Sequence, residues 1–175
     1  MSLRNFSGQI ELNAPVEKVF HYCTDTDQMA QLLPPGLCFK ILQRSTRHLS
    51  QGVTLEFEVR LFKIPFRRKL HVHSFSQGRH IAYVAQSSSF FACERDYYFE
   101  SLPNNQTRVT DCVLYRLPLG PVGLLLDRLW VRPLLQRAFE HRRAVLQSIF
   151  QPAICVSSSN SKPKGPSSAK IPQSR

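Results

Sequence analysis

PLLQRAFEHRRAVLQSIFQP, residues 133–152, is the stretch whose reading decides the fold. Pro133 suits a first helical turn, where its missing N–H would have no partner anyway, and Gln151-Pro152 closes the run. Between them Leu134, Leu135, Ala138, Phe139, Val145, Leu146, Ile149 and Phe150 recur with helical period and form one apolar stripe. A helix of about 18 residues is roughly 27 Å long at 1.5 Å per residue. That is the width of a sheet, and the rest of the chain supplies one.

Upstream, six strand-like runs cover roughly 37–44, 51–61, 67–75, 79–86, 91–101 and 106–116. The breaks carry turn chemistry: Gln51-Gly52, Ile64-Pro65, Gln77-Gly78, a Ser run and Pro103-Asn104-Asn105. Short links between successive strands imply an antiparallel meander. A seventh strand opens the chain, because Phe6, Gly8, Ile10 and Leu12 alternate with Ser7, Gln9 and Glu11. Asn13-Ala14-Pro15 then reads as the cap and first turn of a short helix to about Cys23. Asp25 or Thr26 can cap a second short helix through Leu33, ended by Pro34-Pro35-Gly36. The expected fold is α+β: a seven-stranded curved antiparallel sheet in the order β-α-α-β6-α, wrapped around the long C-terminal helix. The segment before that helix, GPVGLLLDRLWVR, reads as an apolar approach that packs over the open end of the sheet or serves as a contact patch.

Composition narrows the class without naming a function. The chain has 175 residues, 42% hydrophobic, enough for one domain with an apolar core. The longest aliphatic stretch, Val122 to Leu126, is far short of the roughly 20 residues a membrane helix needs, and MSLRNFSGQI has no signal-type apolar region. Five cysteines, odd in number and never spaced CxxC, argue against a disulfide framework or a zinc site and for reduced thiols in a cytoplasmic protein. Lys and Arg number 23 against 12 Asp and Glu. Residues 151–175 hold four of these bases (Lys162, Lys164, Lys170, Arg175) and no acid, in a Ser/Pro/Lys-rich composition that reads as a disordered tail following a domain at 1–150.

Certain residues carry the resemblance to a known family. IELNAPVEKVF (10–20), TDTDQMAQLLPP (24–35) and the segment from Thr107 to Leu146, with its D-x-V-x-Y-x-L-P-x-G pattern at Asp111–Gly120 and its Phe139-x-x-Arg142 helix, resemble the SRPBCC superfamily. That superfamily has the helix-grip fold of START domains, pollen-allergen-like proteins and polyketide cyclase/dehydrase proteins. The resemblance covers about residues 3–150 and implies a cavity between helix and sheet that takes a small hydrophobic molecule: a lipid, isoprenoid, quinone or polyketide-like compound. The chain departs from the ligand-binding branch at FFACERDYYFESL (90–102), where that branch has a His-x-His-Phe block; KLHVHSF stands earlier, at 69–75.

Strand alternation names the walls of such a cavity. Val53, Leu55, Phe57, Val59 and Leu61 share one face; so do Phe91, Cys93, Arg95, Tyr97 and Phe99, and so do Val109, Asp111, Val113 and Tyr115. Two of these apolar faces carry a charge, Arg95 and Asp111, and the helix stripe carries Arg142. A buried charge must be paired or reach water, so these three either tie sheet to helix or orient a ligand's polar end. The expected ligand-binding set is Phe57, Val59, Phe91, Arg95, Tyr97, Asp111, Val113, Tyr115, Leu135, Phe139, Arg142 and Leu146. No catalytic residue, metal ligand or cofactor is expected, since no phosphate loop, GxSxG elbow or HExxH motif is present. His71 and His73 point to one side of a strand but lack a third ligand nearby in sequence.

Three functions stay open at this point. The first is a carrier or sensor of a hydrophobic molecule, with an anionic membrane as a peripheral partner. The second is a cyclase/dehydrase-type enzyme in the same cavity. The third is a basic interaction protein, using Arg67-Arg68-Lys69, Arg128, Arg132, Arg137 and Arg142-Arg143 on a membrane, RNA or ribosome; no recognisable nucleic-acid motif accompanies that charge. Oligomeric state is not legible.

Overall fold

The computed structural model describes residues 2–61, 64–86, 92–117 and 120–151. Strand β1 (Ser2–Leu12) leads through helix α1 (Val16–Thr24) to β2 (Cys38–Arg44), β3 (Thr54–Leu61), β4 (Ile64–Ser76), β5 (His80–Gln86), β6 (Ala92–Leu102) and β7 (Gln106–Leu117). All seven join one antiparallel sheet in the order β1-β7-β6-β5-β4-β3-β2. Five of its six pairings thus join neighbours in sequence, the sixth is the return of β1 beside β7, and the sheet has β1 and β2 at its edges. This is the expected helix-grip architecture. Among the described residues no helix is long and apolar enough to cross a membrane.

The inner face follows the alternation. Ile10 and Leu12 on β1, Leu55 and Phe57 on β3, Leu70 and Val72 on β4, Ile81 on β5, Phe99 on β6 and Val109 on β7 are buried. Phe20 of α1 stands edge-on to Phe75 and Phe99, with ring centroids 5.6 and 5.0 Å away. Backbone bulges fall in β2 between Ile41 and Gln43 and in β4 between Val72 and Ser74; the register of β6 on β7 is unbroken.

Local expectations are corrected at four places. Asn13 does not cap α1; Pro15 occupies the cap position in extended conformation, and Asn13 Oδ1 instead accepts from Gln106 Nε2 at 2.6 Å. The second short helix is a single 3-10 turn, Thr26–Gln28, with the Asp25 carboxylate accepting from the Asp27 N–H. Turns continue from it to Pro34, because Thr26 spends its hydroxyl and N–H on the Arg47 carbonyl and so fastens this segment to the loop before β3. Pro65 does not break the chain but pairs opposite Arg60 within β4; β5 reaches only as far as Lys69, so Pro65 lies where β4 has one neighbour and a missing donor costs nothing.

The largest correction concerns the approach segment. It is helical: α2 (Gly120–Leu126) passes through a π-helical turn (Asp127–Val131) straight into α3 (Arg132–Phe150). A single acid accounts for its course. Asp127 is 3% exposed and accepts hydrogen bonds from the Tyr115 hydroxyl at 2.6 Å and from Arg4, which staples the π turn to β7 and β1. Gln151 still belongs to the domain, donating to the Glu11 carbonyl at 2.8 Å; the rest of the expected tail lies outside the described residues, as does Phe91.

Candidate functional site

Helix α3 does not lie centrally over the sheet. Its Phe139 ring packs on β1, edge-on to Phe6 at 5.9 Å and over Gly8, where an added Cβ would stand 2.4 Å from two ring carbons. Glycine at position 8 therefore sets how closely helix and sheet approach. With the helix drawn to the β1 edge, the opposite half of the inner face, on β2 to β5, is left without it. There the structure holds a partly enclosed cavity of about 190 Å³.

The floor of this cavity is sheet: Phe39, Phe57, Val59, Leu70, Ile81 and Ala85, with Tyr83 and Tyr97 further along. Its cover comes from the turns after α1, through Met29, Leu32 and Leu33, with Leu49 from the loop before β3. His141 Nε2 lies 3.0 Å from the Gln31 carbonyl, and Tyr22 donates to the Gln31 side chain at 3.2 Å, so α1 and α3 hold the cover between them. From α1 comes Cys23, from β6 Cys93, and from α3 Arg142.

The polar wall is arginine. Arg68, Arg95 and Arg142 line the cavity, and no carboxylate does so among the described residues. Asp111 stands behind them, 1% exposed, with Arg95 Nε 3.1 Å from its Oδ1 and Arg142 bonded to its Oδ2. Both guanidinium carbons also lie over the Tyr97 ring, 5.6 and 5.7 Å from its centroid, a favourable cation–π arrangement. The pairing that the charged inner faces required is thus made, one acid serving two bases. Among the described residues Arg95 Nε and Arg142 Nε make no aligned hydrogen bond, and neither does Asp111 Oδ1.

Burial governs ionisation here. It pushes the Cys23 thiol up to about 12 from its ordinary value near 9, raises Cys93, and lifts the Tyr97 phenol well above its usual range despite the two arginines. For Arg95 burial opposes the charge, but Asp111 outweighs it and the group stays protonated. At neutral pH the cavity therefore presents neutral thiols, a neutral phenol beside the guanidiniums, and permanent positive charge.

The expected ligand-binding set divides by this geometry. Phe57, Val59, Arg95, Tyr97 and Arg142 line the cavity; Phe91 lies outside the described residues. Asp111 sits behind the wall. Val113 and Tyr115 are buried on β7 beyond it, Tyr115 serving as the Asp127 anchor. Leu135, Phe139 and Leu146 do not reach the cavity: Phe139 is spent on Gly8, and Leu146 is fully buried in the core. Sequence reading passed over the cover residues and Phe39, Ile81, Tyr83 and Ala85. Strand alternation alone would have found the last three, since Ile81, Tyr83 and Ala85 share the buried face of β5. Of the expected basic stripe, Arg142 is buried and the half-buried Arg68 lines the cavity.

Elsewhere, His71 and His73 are exposed on the outer face of β4, with His73 3.1 Å from Glu94; no group of three metal-ligating residues occurs among the described residues. Ser74, His80 and Asp96 form a row on that outer face, with contacts of 3.5 and 3.1 Å. At 3.5 Å the serine contact is too long to activate a nucleophile.

The chain matches no protein-family model and no curated protein at a significant level. Its fold does match solved structures. A START superfamily protein from Mycobacterium smegmatis superposes with a TM-score of 0.62 at 16% identity, covering 83% of this chain and 98% of that one. A protein from Arthrobacter aurescens gives 0.64 at 16%, over 89% and 91%, and one from Thermus thermophilus gives 0.62 at 15%, over 83% and 99%. At these identities the likeness is one of fold alone, the helix-grip fold that the START superfamily protein also has.

Proposed function

We propose that this protein is a binding protein, a carrier or sensor, that takes the apolar body of a small molecule into the cavity between the sheet and its helices. The observation that carries the reading is the unfilled space itself: side chains such as Phe57, Ile81 and Leu70 line it, yet neither α3 nor the cover fills it. A well-packed interior leaves few voids larger than a water, and an apolar cavity of about 150 Å³ already accepts benzene. A volume near 190 Å³ encloses one ring or a short acyl chain, and because the cavity is only partly enclosed the rest of a larger molecule can extend through its mouth. Against catalysis stand the absence of a lining carboxylate among the described residues and a Tyr97 phenol whose proton burial retains.

The long helix supplies a route for loading. Val122, Leu124, Leu125, Leu129 and Trp130 are each more than half exposed, and Arg128 and Arg132 stand exposed among and beside them. Apolar side chains with interspersed arginines match the interface of an anionic membrane, the natural source of a hydrophobic ligand. The domain assignment belongs to the same reading: residues 1–150 bind, and the basic segment beyond adds charge toward that surface.

A neutral fluorescent probe, N-phenyl-1-naphthylamine, tests the cavity. Wild-type protein is expected to bind it with enhanced, blue-shifted emission, and Ala85→Phe, which places a ring in the cavity, to abolish the signal while keeping the native circular dichroism. Equal binding by a folded Ala85→Phe protein would refute the reading.

A further inference from the structure

The charge inside this cavity does not balance, and the imbalance specifies the ligand. Arg95 and Arg142 share the single carboxylate of Asp111. Arg142 and Asp111 are 3% and 1% exposed, and the Arg95 side chain is 17% exposed. Two buried guanidiniums against one carboxylate leave one positive charge over, and it faces the cavity rather than bulk water. Besides Asp111, the groups that act on Arg95 are Tyr97, Tyr83 and Cys93, none of them ionised at neutral pH. An uncompensated charge in a poorly solvated site is costly, and the Arg142 Nε–H and Arg95 Nε–H have no aligned acceptor among the described residues. Arg68, a third guanidinium, lines the same wall.

Resting on the binding reading above, we infer that the ligand is an amphipathic anion whose carboxylate-type head is held by Arg95 and Arg142, with its apolar body on the Phe57 and Ile81 side. A guanidinium offers planar, paired donors that a carboxylate accepts two at a time. An anionic head both fills the donors and restores neutrality, whereas a neutral hydroxyl does only the first and an ammonium does neither. Asp111 then has a defined part: it holds the two arginines together against their mutual repulsion while leaving the surplus for the guest. A simple structural ion pair has no need of the second arginine on the cavity side.

The test uses three eight-carbon ligands that differ only at the head: octanoate, 1-octanol and octylammonium, each competing with the neutral naphthylamine probe. At pH 7.5 octanoate is expected to displace the probe at a concentration at least 10-fold lower than 1-octanol, with octylammonium weakest. Arg95→Gln should bring octanoate and octanol within about 2-fold of each other, and Arg95→Lys, which keeps the charge, should retain most of the preference. Since a buried arginine variant can fail to fold, wild-type protein supplies a second measurement: the octanoate advantage should vanish as pH is lowered and the acid becomes neutral. If octanol and octanoate displace the probe equally in wild-type protein, the anion inference is wrong and the apolar cavity stands. If neither displaces a probe that binds, the inference is wrong as well. If the probe itself does not bind, the binding reading falls and takes the inference with it.

Discussion

Gly8→Ala isolates the contact that seats the long helix. An alanine Cβ there would lie 2.4 Å from Phe139 Cε2 and Cζ and 2.9 Å from Cδ2, whereas carbon atoms rest at about 3.5–4.0 Å. The ring must retreat by more than 1 Å (about 3.5 less 2.4), and it cannot slide freely because Phe6 meets it edge-on. Overpacking of this kind costs about 1–3 kcal/mol, a sizeable part of the 5–15 kcal/mol typical of a domain. Urea unfolding of wild type, Gly8→Ala, Phe139→Ala and the double variant measures it, read as midpoint shifts at constant m. Phe139→Ala alone should cost about 3–5 kcal/mol. The double variant should cost no more than that, because the added methyl then occupies the space the ring has left. The cycle should therefore show a coupling of about 1–3 kcal/mol. Arg142 lies one turn beyond Phe139, so Gly8→Ala should also weaken binding of the neutral probe, and the double variant should recover part of it. Strictly additive free energies, or a Gly8→Ala protein within about 0.5 kcal/mol of wild type, would show that α3 is not seated on this glycine.

Four further outcomes are expected. Asp111→Asn leaves two buried guanidiniums facing each other and should lower stability by about 3–5 kcal/mol, measured by the same denaturation; a loss under about 1 kcal/mol would mean water already screens the pair. Cys23 keeps its proton until about pH 12 in the folded protein but loses it near 9 when unfolded. The unfolded state therefore binds fewer protons over that window, and stability should fall as pH rises from 9 toward 12. In folded protein at pH 8, iodoacetamide should modify the exposed Cys38 well before Cys23, and equal labelling rates by mass spectrometry would contradict the burial. Trp130, the one tryptophan of the chain, should shift its emission to the blue on vesicles containing phosphatidylserine and not on phosphatidylcholine alone, with Arg128→Gln/Arg132→Gln weakening the response; an unchanged spectrum would remove the membrane from the proposed function.

Much of the architecture was legible because alternation and helical period are properties of the chain itself. Val53 to Val59 and the stripe from Leu134 to Phe150 each have one apolar side, and that side has one place to go. The three buried charges were legible for the same reason, since Arg95, Asp111 and Arg142 interrupt otherwise apolar faces. Less legible was anything set by where elements meet. Gly120, Pro121 and Gly123 look like helix breakers, yet a proline is at home in a first turn and Asp127 fastens the following turn to Tyr115 and Arg4 from across the sheet. No local pattern announces that fastening. Likewise nothing within β1 says that Gly8 will receive Phe139, and it is this lateral seating that moved Phe139 and Leu146 from the cavity list to the packed core. The cover was missed because Met29 and Leu33 sit on turns, where neither period applies.

The lateral offset of α3 gives the molecule an internal division of labour. One flank, from β1 to the anchors at Asp127 and Gln151, is a fixed chassis in which nearly every exchange would be felt as lost stability. The other, from β2 to β5, lines the cavity and bears little of the helix. Side chains at 39, 57, 59, 81 and 85 could thus be exchanged to reshape the cavity while the chassis stayed as it is, so that, on the binding function proposed above, ligand choice and preservation of the scaffold need not compete for the same positions.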